Sequence, residues 1–341
     1  MKKTILLAIG IILLVSCNKV IEFNGTQTNP KLVINSLVEV GQPVKASISK
    51  SVFFLDNEAN TQCPDDLVAT LYVNGNRYGE MTPTYDTLVS NDIWDPNDPS
   101  LGYVRKLYVS DYRPQVGDII KITASANGFD DVEGTTSPLP KPVDCAVTDC
   151  KTLYWGMHYG ENNGGETDST WYVVFYTLEL NVEITDPNPG QTDFFRLHVE
   201  NGSEFADSVN YMSCYAQYDD PVFGATVAND YDIIDFSDYD LRPENVFTDV
   251  LFDGKTYPIK LTISVMLRND GTVPSEFYSI RMEAEHLTKE YYNYLNTCNQ
   301  GDETMQFFAE PIQTYSNVTN GYGIVGGRTV DSLSFPVPLS R

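Results

Sequence analysis

Histidine, the side chain that most often carries acid–base or metal chemistry near neutral pH, is sparse in this chain of 341 residues. The chain contains three histidines, His158, His198 and His286, which lie far apart. His198 falls inside a strand pattern and His286 at a strand end, so we predict both to be packed rather than ligating. The G-x-S-x-G, H-E-x-x-H and Walker motifs do not occur. We therefore predict a protein that is not an enzyme and needs no cofactor, with a carboxylate-based hydrolase as the minor alternative.

Carboxylates are abundant, and the densest group lies between residues 230 and 240. Its closely spaced members Asp230, Asp232 and Asp235 are the calcium candidates, because hard cations need several converging oxygens. The segment lacks the central glycine and the closing glutamate of an EF-hand loop. A solvated acidic loop is therefore the favoured interpretation, and we predict no metal site.

Aromatic side chains are the other unusual feature of the composition, with 22 tyrosines and 16 phenylalanines. Most are predicted to lie in the core, but a stretch rich in glycine combines Tyr154, Trp155, His158 and Tyr159. Aromatic rings in an exposed loop can stack on sugars or anchor a protein partner. These four residues are therefore the candidates for binding a small molecule, a glycan or a peptide.

The charge balance excludes some partners. There are 22 basic residues against 47 acidic ones, a formal net charge of -25. Such a body repels phosphate backbones and anionic lipid surfaces, so we predict no nucleic-acid partner. Contact with a membrane is expected through a lipid anchor only.

The anchor is predicted from the first seventeen residues. Two lysines precede the apolar run Ile5–Val15, which is too short to span a bilayer and is typical of a signal peptide. The run ends in Leu-Val-Ser-Cys, which looks like a bacterial lipobox, so residues 1–16 are predicted to be removed and Cys17 to be lipidated. An ordinary signal peptide with a chance cysteine is the alternative. Residues 17–27 then form the lipidated cysteine and its tether.

Five cysteines remain after Cys17, an odd number, so at least one thiol stays unpaired. Cys145 and Cys150 are the predicted disulfide pair, because only four residues separate them in a stretch that resembles a loop. None of the five has the C-x-x-C spacing of a zinc or redox site, so structural or inert roles are favoured.

The elements that must position these residues are short strands separated by turn signals, which predicts an all-β fold. Val44, Ala46 and Ile48 alternate with polar residues, as in a half-buried strand. The dipeptide Asn74-Gly75 follows an apolar run and predicts a tight hairpin.

The strand pattern divides into two parts. We predict an immunoglobulin-like β-sandwich over residues 28–142, a linker or long loop over 143–169, and a second, β-rich domain over 170–341. Residues 277–287 fit either a helix or a strand, and strand is preferred. Thr288 is a good helix N-cap, so one short helix is predicted from Lys289 to about Asn299.

Several segments carry a family resemblance. The C-terminal ones are Tyr292-Asn293-Tyr294-Leu295, Phe307-Phe308-Ala309-Glu310-Pro311, Tyr315-Ser316-Asn317-Val318 and Asn320-Gly321-Tyr322-Gly323-Ile324-Val325-Gly326-Gly327. Leu32-Val33-Ile34-Asn35-Ser36-Leu37 and Ile184-Thr185-Asp186-Pro187 add to them nearer the N-terminus. Together they resemble a family of uncharacterised lipoproteins of the Bacteroidota that is known as a domain of unknown function. By themselves, the glycines of the last segment predict tight turns in a strand rather than a phosphate loop.

The resemblance implies an outer-membrane lipoprotein, facing the cell surface and often encoded beside a TonB-dependent receptor, and it implies no reaction. We therefore expect a non-enzymatic accessory or ligand-binding component that works with a TonB-dependent transporter in nutrient uptake. The alternative is a surface adhesion or envelope-structural lipoprotein, which the predicted sandwich and tether would also suit.

Overall fold

The computed structural model describes residues 29–52, 64–89, 102–162, 169–199, 210–224, 245–270, 279–298 and 314–336. These residues form three β-sheets and two α-helices, which confirms the predicted all-β fold. Among them, no helix is both long and apolar enough to cross a membrane.

The largest sheet has eight strands. In spatial order they are β13 (Val246–Thr248), β11 (Phe194–Val199), β15 (Ser279–Leu287), β17 (Tyr322–Pro336), β1 (Leu32–Glu39), β2 (Lys45–Lys50), β6 (Gly102–Val109) and β5 (Thr82–Val89). Strand β1 pairs in parallel with β17, which joins the two ends of the described chain. The sheet therefore contains strands from both of the domains that the sequence predicted.

Two smaller sheets accompany the large one. The five-stranded sheet has the order β16 (Val318–Thr319), β8 (Val132–Thr135), β7 (Ile120–Ser125), β3 (Val68–Val73) and β4 (Asn76–Glu80). The four-stranded sheet has the order β12 (Asn210–Gln217), β14 (Thr256–Asp270), β10 (Ser169–Thr185) and β9 (Asp144–Asn162).

Two large cores hold these layers together within the described residues. Alternate residues of β1 and β2 pack with those of β3 and β7 in the first core, which includes Ile34, Ile48, Leu71 and Ile122. The second core joins β10 and β14 to β11 and β15, with Leu180 and Phe195 fully buried in it. Period-two alternation, which places every second side chain on one face, thus accounts for both sandwiches.

The hairpin predicted at Asn74-Gly75 is confirmed. Asn74 and Gly75 connect β3 to β4 with φ angles of 51° and 80°, as a two-residue turn with positive φ at both positions requires. The side chain of Asn74 also holds the start of β7, the neighbouring strand in the sheet, because its Oδ1 accepts a hydrogen bond from Ile119 N–H at 2.9 Å.

Residues Asp144–Asn162 form strand β9, where the sequence predicted a linker or long loop over 143–169. The segment reads as a loop because it mixes glycine, polar and aromatic residues. It lies at the edge of the four-stranded sheet and pairs only with β10 there, so one of its long sides needs no strand partner. An edge strand tolerates such a composition, and this is why the pattern misled.

The strand predicted at 277–287 and the short helix after it are both confirmed. Strand β15 ends at Leu287, and the ten-residue helix α2 spans Lys289–Cys298, while α1 (Pro221–Gly224) is a single turn. Thr288 stands directly before α2, and its Oγ1 accepts a hydrogen bond from Gly327 N–H at 3.0 Å. The threonine thus also ties the start of the helix to β17.

A buried carboxylate braces the loop before β7. Asp118 accepts hydrogen bonds from Gln115 N–H at 2.8 Å, from the Tyr112 hydroxyl at 2.7 Å and from Asn74 Nδ2 at 2.8 Å. Burial disfavours its charge, but the three donors outweigh that cost and hold the pKa of Asp118 below the usual value for aspartate.

We expect Asp118→Asn to destabilise the protein by about 2 kcal/mol at neutral pH, since it removes a charged acceptor from three donors. Because the folded pKa is the lower one, this stability is present above the unfolded pKa and is lost as pH falls through the folded pKa. Thermal melts of both proteins between about pH 7 and pH 3 should therefore show the gap in Tm closing in acid. A constant gap would contradict the depressed pKa.

Candidate functional site

Three exposed aromatic side chains share the outer face of the four-stranded sheet. Tyr154 on β9 is 62% exposed, Tyr215 on β12 is 60% exposed and Phe175 on β10 is 36% exposed. Tyr154 and Tyr215 lie in one row, with Thr177 and Ser264 between them. Three inter-strand spacings place their backbones about 14 Å apart. We call Tyr154, Phe175 and Tyr215 the aromatic face.

A glycine shapes this surface. A Cβ at Gly156 would lie 2.7 Å from the hydroxyl oxygen of Tyr154, so the end of that ring covers the glycine. Gly156 is itself the register partner of Phe175 on β10. The glycine thus makes room for Tyr154 to extend along β9 towards the position of Phe175, which gathers the aromatic surface.

Two more apolar side chains border the aromatic face along the sheet edge. A register shift between Thr177 and Leu178 leaves Leu153 without a partner on β10, and this bulged residue is 57% exposed. Trp155 is paired with Tyr176 and is 46% exposed. By strand alternation it lies on the opposite side of the sheet from Tyr154, so the edge of β9 carries apolar surface on both sides.

All four predicted ligand-binding residues therefore lie on one strand rather than in a loop. Tyr154 and Trp155 are exposed, as predicted. His158 and Tyr159 belong to β9 and pair with Val173 and Tyr172, but their side chains lie outside the described part of the chain. The sequence analysis missed Phe175 and Tyr215. Alternation predicts that each lies on one face of a strand, but it does not tell whether that face is exposed or buried.

The predicted disulfide between Cys145 and Cys150 is wrong. Both thiols are free and both cysteines lie on β9. Five residues of extended strand separate their Cα atoms by about 16 Å, whereas a disulfide spans at most about 7 Å. Burial, with help from neighbouring carboxylates, raises the pKa of Cys145 to about 12, so this thiol is inert. The lipidation candidate Cys17 lies outside the described residues.

The calcium candidates Asp230, Asp232 and Asp235 also lie outside the described residues. Of the histidines predicted to be packed in strands, His198 lies on β11 and is half-buried, and His286 lies on β15 and is buried. His286 Nδ1 is 2.8 Å from the Lys141 carbonyl oxygen, and its Nε2 is 3.4 Å from Asp193 Oδ1.

A group of carboxylates that the sequence did not single out lies where the chain passes between two sheets. Asp186 follows β10, while Asp249 and Asp253 lie between β13 and β14. One oxygen from each of the three carboxylates lies within 4.8 Å of the other two. We call Asp186, Asp249 and Asp253 the carboxylate cluster. The turn Asp186-Pro187-Asn188-Pro189-Gly190 was its only local signal, since topology alone brings in residues more than 60 positions away.

The similarity of this chain to known proteins extends over most of its length. A family model described as a domain of unknown function, DUF4249, matches residues 18–334. The chain belongs to the DUF4249 family. A search of curated proteins finds no match. The collagen adhesin CNA from S. aureus aligns with 90% of the DUF4249 chain and 94% of its own length, at 8% identity and a TM-score of 0.12, a likeness too weak to carry an argument.

The glycine-rich end of this DUF4249 chain has a structural explanation in the fold. Added Cβ atoms would meet Leu32 O at 2.5 Å from Gly321 and Tyr291 Cβ at 2.8 Å from Gly326. One glycine thus lets the chain approach β1, and the other lets β17 approach α2. The segment serves close packing, in agreement with the prediction of turns and strand rather than a phosphate loop.

Proposed function

We propose that this protein is a non-enzymatic lipoprotein of the Bacteroidota outer membrane, anchored through Cys17 and facing the cell surface. It acts there as an accessory component of nutrient uptake and docks on a TonB-dependent transporter through its aromatic face. The lipobox supports the anchor, and the motifs of the DUF4249 family support the location and the partner. The observation that carries the docking role is the exposed aromatic face.

The composition of this face favours a protein partner. Tyrosine and tryptophan dominate the residues whose removal weakens protein interfaces most, and the aromatic face with Leu153 and Trp155 offers these types on one sheet. Tyr154 and Tyr215, about 14 Å apart on a sheet surface, suit a flat contact better than a single sugar ring would.

The edge position of β9 adds a second mode of contact. Within the described chain, β9 is the last strand of its sheet, so its outer backbone groups are available to an added strand. A partner strand paired there would lie beside Leu153 and Trp155. Backbone hydrogen bonds and apolar side chains would then act together, as they do in strand addition.

The proposal predicts the outcome of an affinity purification. The lipidated protein is isolated from gently solubilised outer membranes, and co-eluting proteins are identified by mass spectrometry. We expect a stoichiometric TonB-dependent receptor with the parent protein. The double variant Tyr154→Ala/Tyr215→Ala should lose it, because truncating one such anchor costs about 2 kcal/mol or more, roughly 30-fold in affinity.

Tyr85→Ala is the matched control, since Tyr85 is 70% exposed on β5 of the eight-stranded sheet, away from the aromatic face. This variant should retain the receptor. A parent protein that elutes alone would contradict the partnership with a transporter. A receptor that the double variant retains would contradict the role of the aromatic face.

A further inference from the structure

The carboxylate cluster links two of the connections that cross between the eight-stranded and the four-stranded sheet. One connection runs from β10 to β11 and contains Asp186. The other runs from β13 to β14 and contains Asp249 and Asp253. Backbone hydrogen bonds already join them, because Asp186 N–H donates to the Lys255 carbonyl at 3.1 Å.

Backbone donors hold the carboxylates of Asp186 and Asp253 in place. Asp186 accepts hydrogen bonds from Asn188 N–H at 2.8 Å and from Gly254 N–H at 2.5 Å. Asp253 accepts one from Gly190 N–H at 2.6 Å. Each carboxylate thereby grips the opposite connection, and its remaining lone pairs stay available to another ligand.

Asp249 contributes the one unexplained oxygen of the cluster, although its carboxylate also receives a hydrogen bond from the backbone of Asp193. It is 3% exposed, and its Oδ2 is buried without a hydrogen-bond partner. A buried carboxylate oxygen normally has a donor, and leaving it without one is costly. Burial, together with the nearby charges of Asp186 and Asp193, raises the pKa of Asp249 to about 6.

The neighbouring Asp193 adds to the repulsion between the carboxylates around Asp249, and its own carboxylate already has hydrogen-bond partners. Its carboxylate oxygens accept hydrogen bonds from Asn188 Nδ2 at 3.2 and 2.9 Å, and Oδ1 lies 3.4 Å from His286 Nε2. A fourth acidic group thus stands beside the cluster. Asp249 therefore lies among other acidic groups, an environment that favours a cation.

We propose that Asp186, Asp249 and Asp253 bind a calcium ion that fastens the two connections together. Calcium takes six to eight oxygen ligands in flexible geometry, and carboxylates from separate loops fit this need. Three oxygens within 4.8 Å of one another lie at most a few tenths of an ångström too far apart to share a calcium ion at the usual distance of about 2.3–2.6 Å, so small side-chain movements suffice. Asp253 is exposed, which leaves an entrance for the ion and room for water ligands.

Calcium titration of the purified full chain tests this assignment. After removal of metals with EDTA, Tm is followed as calcium is raised to about 10 mM, above the weakest dissociation constants of extracellular calcium modules. We expect Tm to rise with the logarithm of calcium concentration, because the ion binds only the folded state. Isothermal titration calorimetry should report one calcium per chain.

Two variants locate the site. Asp253→Asn and Asp249→Asn should each weaken calcium binding at least about tenfold, since each loses one charged ligand of three. In EDTA, Asp249→Asn should melt at or above the Tm of the parent, because it removes a buried charge that lacks a partner. A Tm of Asp249→Asn that is below the parent's with calcium, but at or above it in EDTA, distinguishes a calcium ligand from an ordinary structural residue.

Asp130→Asn is the matched control for charge, because Asp130 is an exposed aspartate in the turn between β7 and β8. This variant should keep the full calcium response. A parent protein whose Tm and heat of mixing do not change with calcium would overturn the proposal, as would a calcium affinity that is unchanged in Asp253→Asn. A response to magnesium without one to calcium would overturn the choice of ion.

Discussion

Glu285→Gln is expected to lower the free energy of unfolding by about 3 kcal/mol, which for a chain of this length lowers Tm by roughly 4 °C. The Glu285 side chain is fully buried on β15. Its Oε1 lies 3.3 Å from Arg196 Nη1, and its Oε2 lies 3.1 Å from Arg328 Nη1. Glutamine keeps the volume but removes the charge that both guanidinium groups face.

The position of this ion cluster explains the size of the effect. Arg196, Glu285 and Arg328 lie on the adjacent strands β11, β15 and β17, and Arg328 also pairs with Glu39 on β1 at 2.9 Å. The cluster thus spans four neighbouring strands of the sheet that the two sandwiches share. Both arginines are about one-fifth exposed, so water compensates in part, and the lower end of the range for broken buried pairs applies.

Glu80→Gln provides the matched control. Glu80 pairs with Arg77 at 3.1 Å, but both side chains are more than half exposed. Such surface pairs contribute less than about 1 kcal/mol, so urea denaturation should show little change in the midpoint. A loss for Glu285→Gln as small as that for Glu80→Gln would contradict a buried, stabilising role for the cluster.

The parts of the fold that the sequence predicts are those whose causes are local. The hairpin at Asn74-Gly75 follows from two residues that accept positive φ, and helix α2 follows from Thr288 and an apolar stripe. The pairing of β1 with β17 joins residues almost 290 positions apart, and no local pattern encodes it. Two separate domains were therefore predicted where one sheet is shared.

The same distinction applies to the sites. Tyr154 and Trp155 were predicted to be exposed because their glycine-rich surroundings indicated a loop, and they are exposed although the segment is an edge strand. Their partners Phe175 and Tyr215 depend on sheet order and register, which the sequence does not display. The predicted disulfide between Cys145 and Cys150 failed because close spacing in sequence becomes a long separation in an extended strand.

Gly323→Ala is expected to lower the free energy of unfolding by about 2–5 kcal/mol. Two costs add. Gly323 has a φ of 104°, a backbone conformation that side chains rarely adopt. An added Cβ would also collide with the Ile34 carbonyl group and come within 2.9 Å of Asn35 Oδ1. Gly323 is paired with Ile34 in the β1–β17 ladder, so the two strands cannot separate without losing that ladder.

Gly75→Ala separates these two costs, because Gly75 has a φ of 80° but nothing within 4 Å of an added Cβ. It should cost only the backbone term, about 1–2 kcal/mol. The excess measured for Gly323→Ala by urea denaturation then reports the close approach of β1 and β17. Equal losses of unfolding free energy for the two variants would contradict the close approach of β1 and β17. They would also contradict the sheet that unites the two sandwiches.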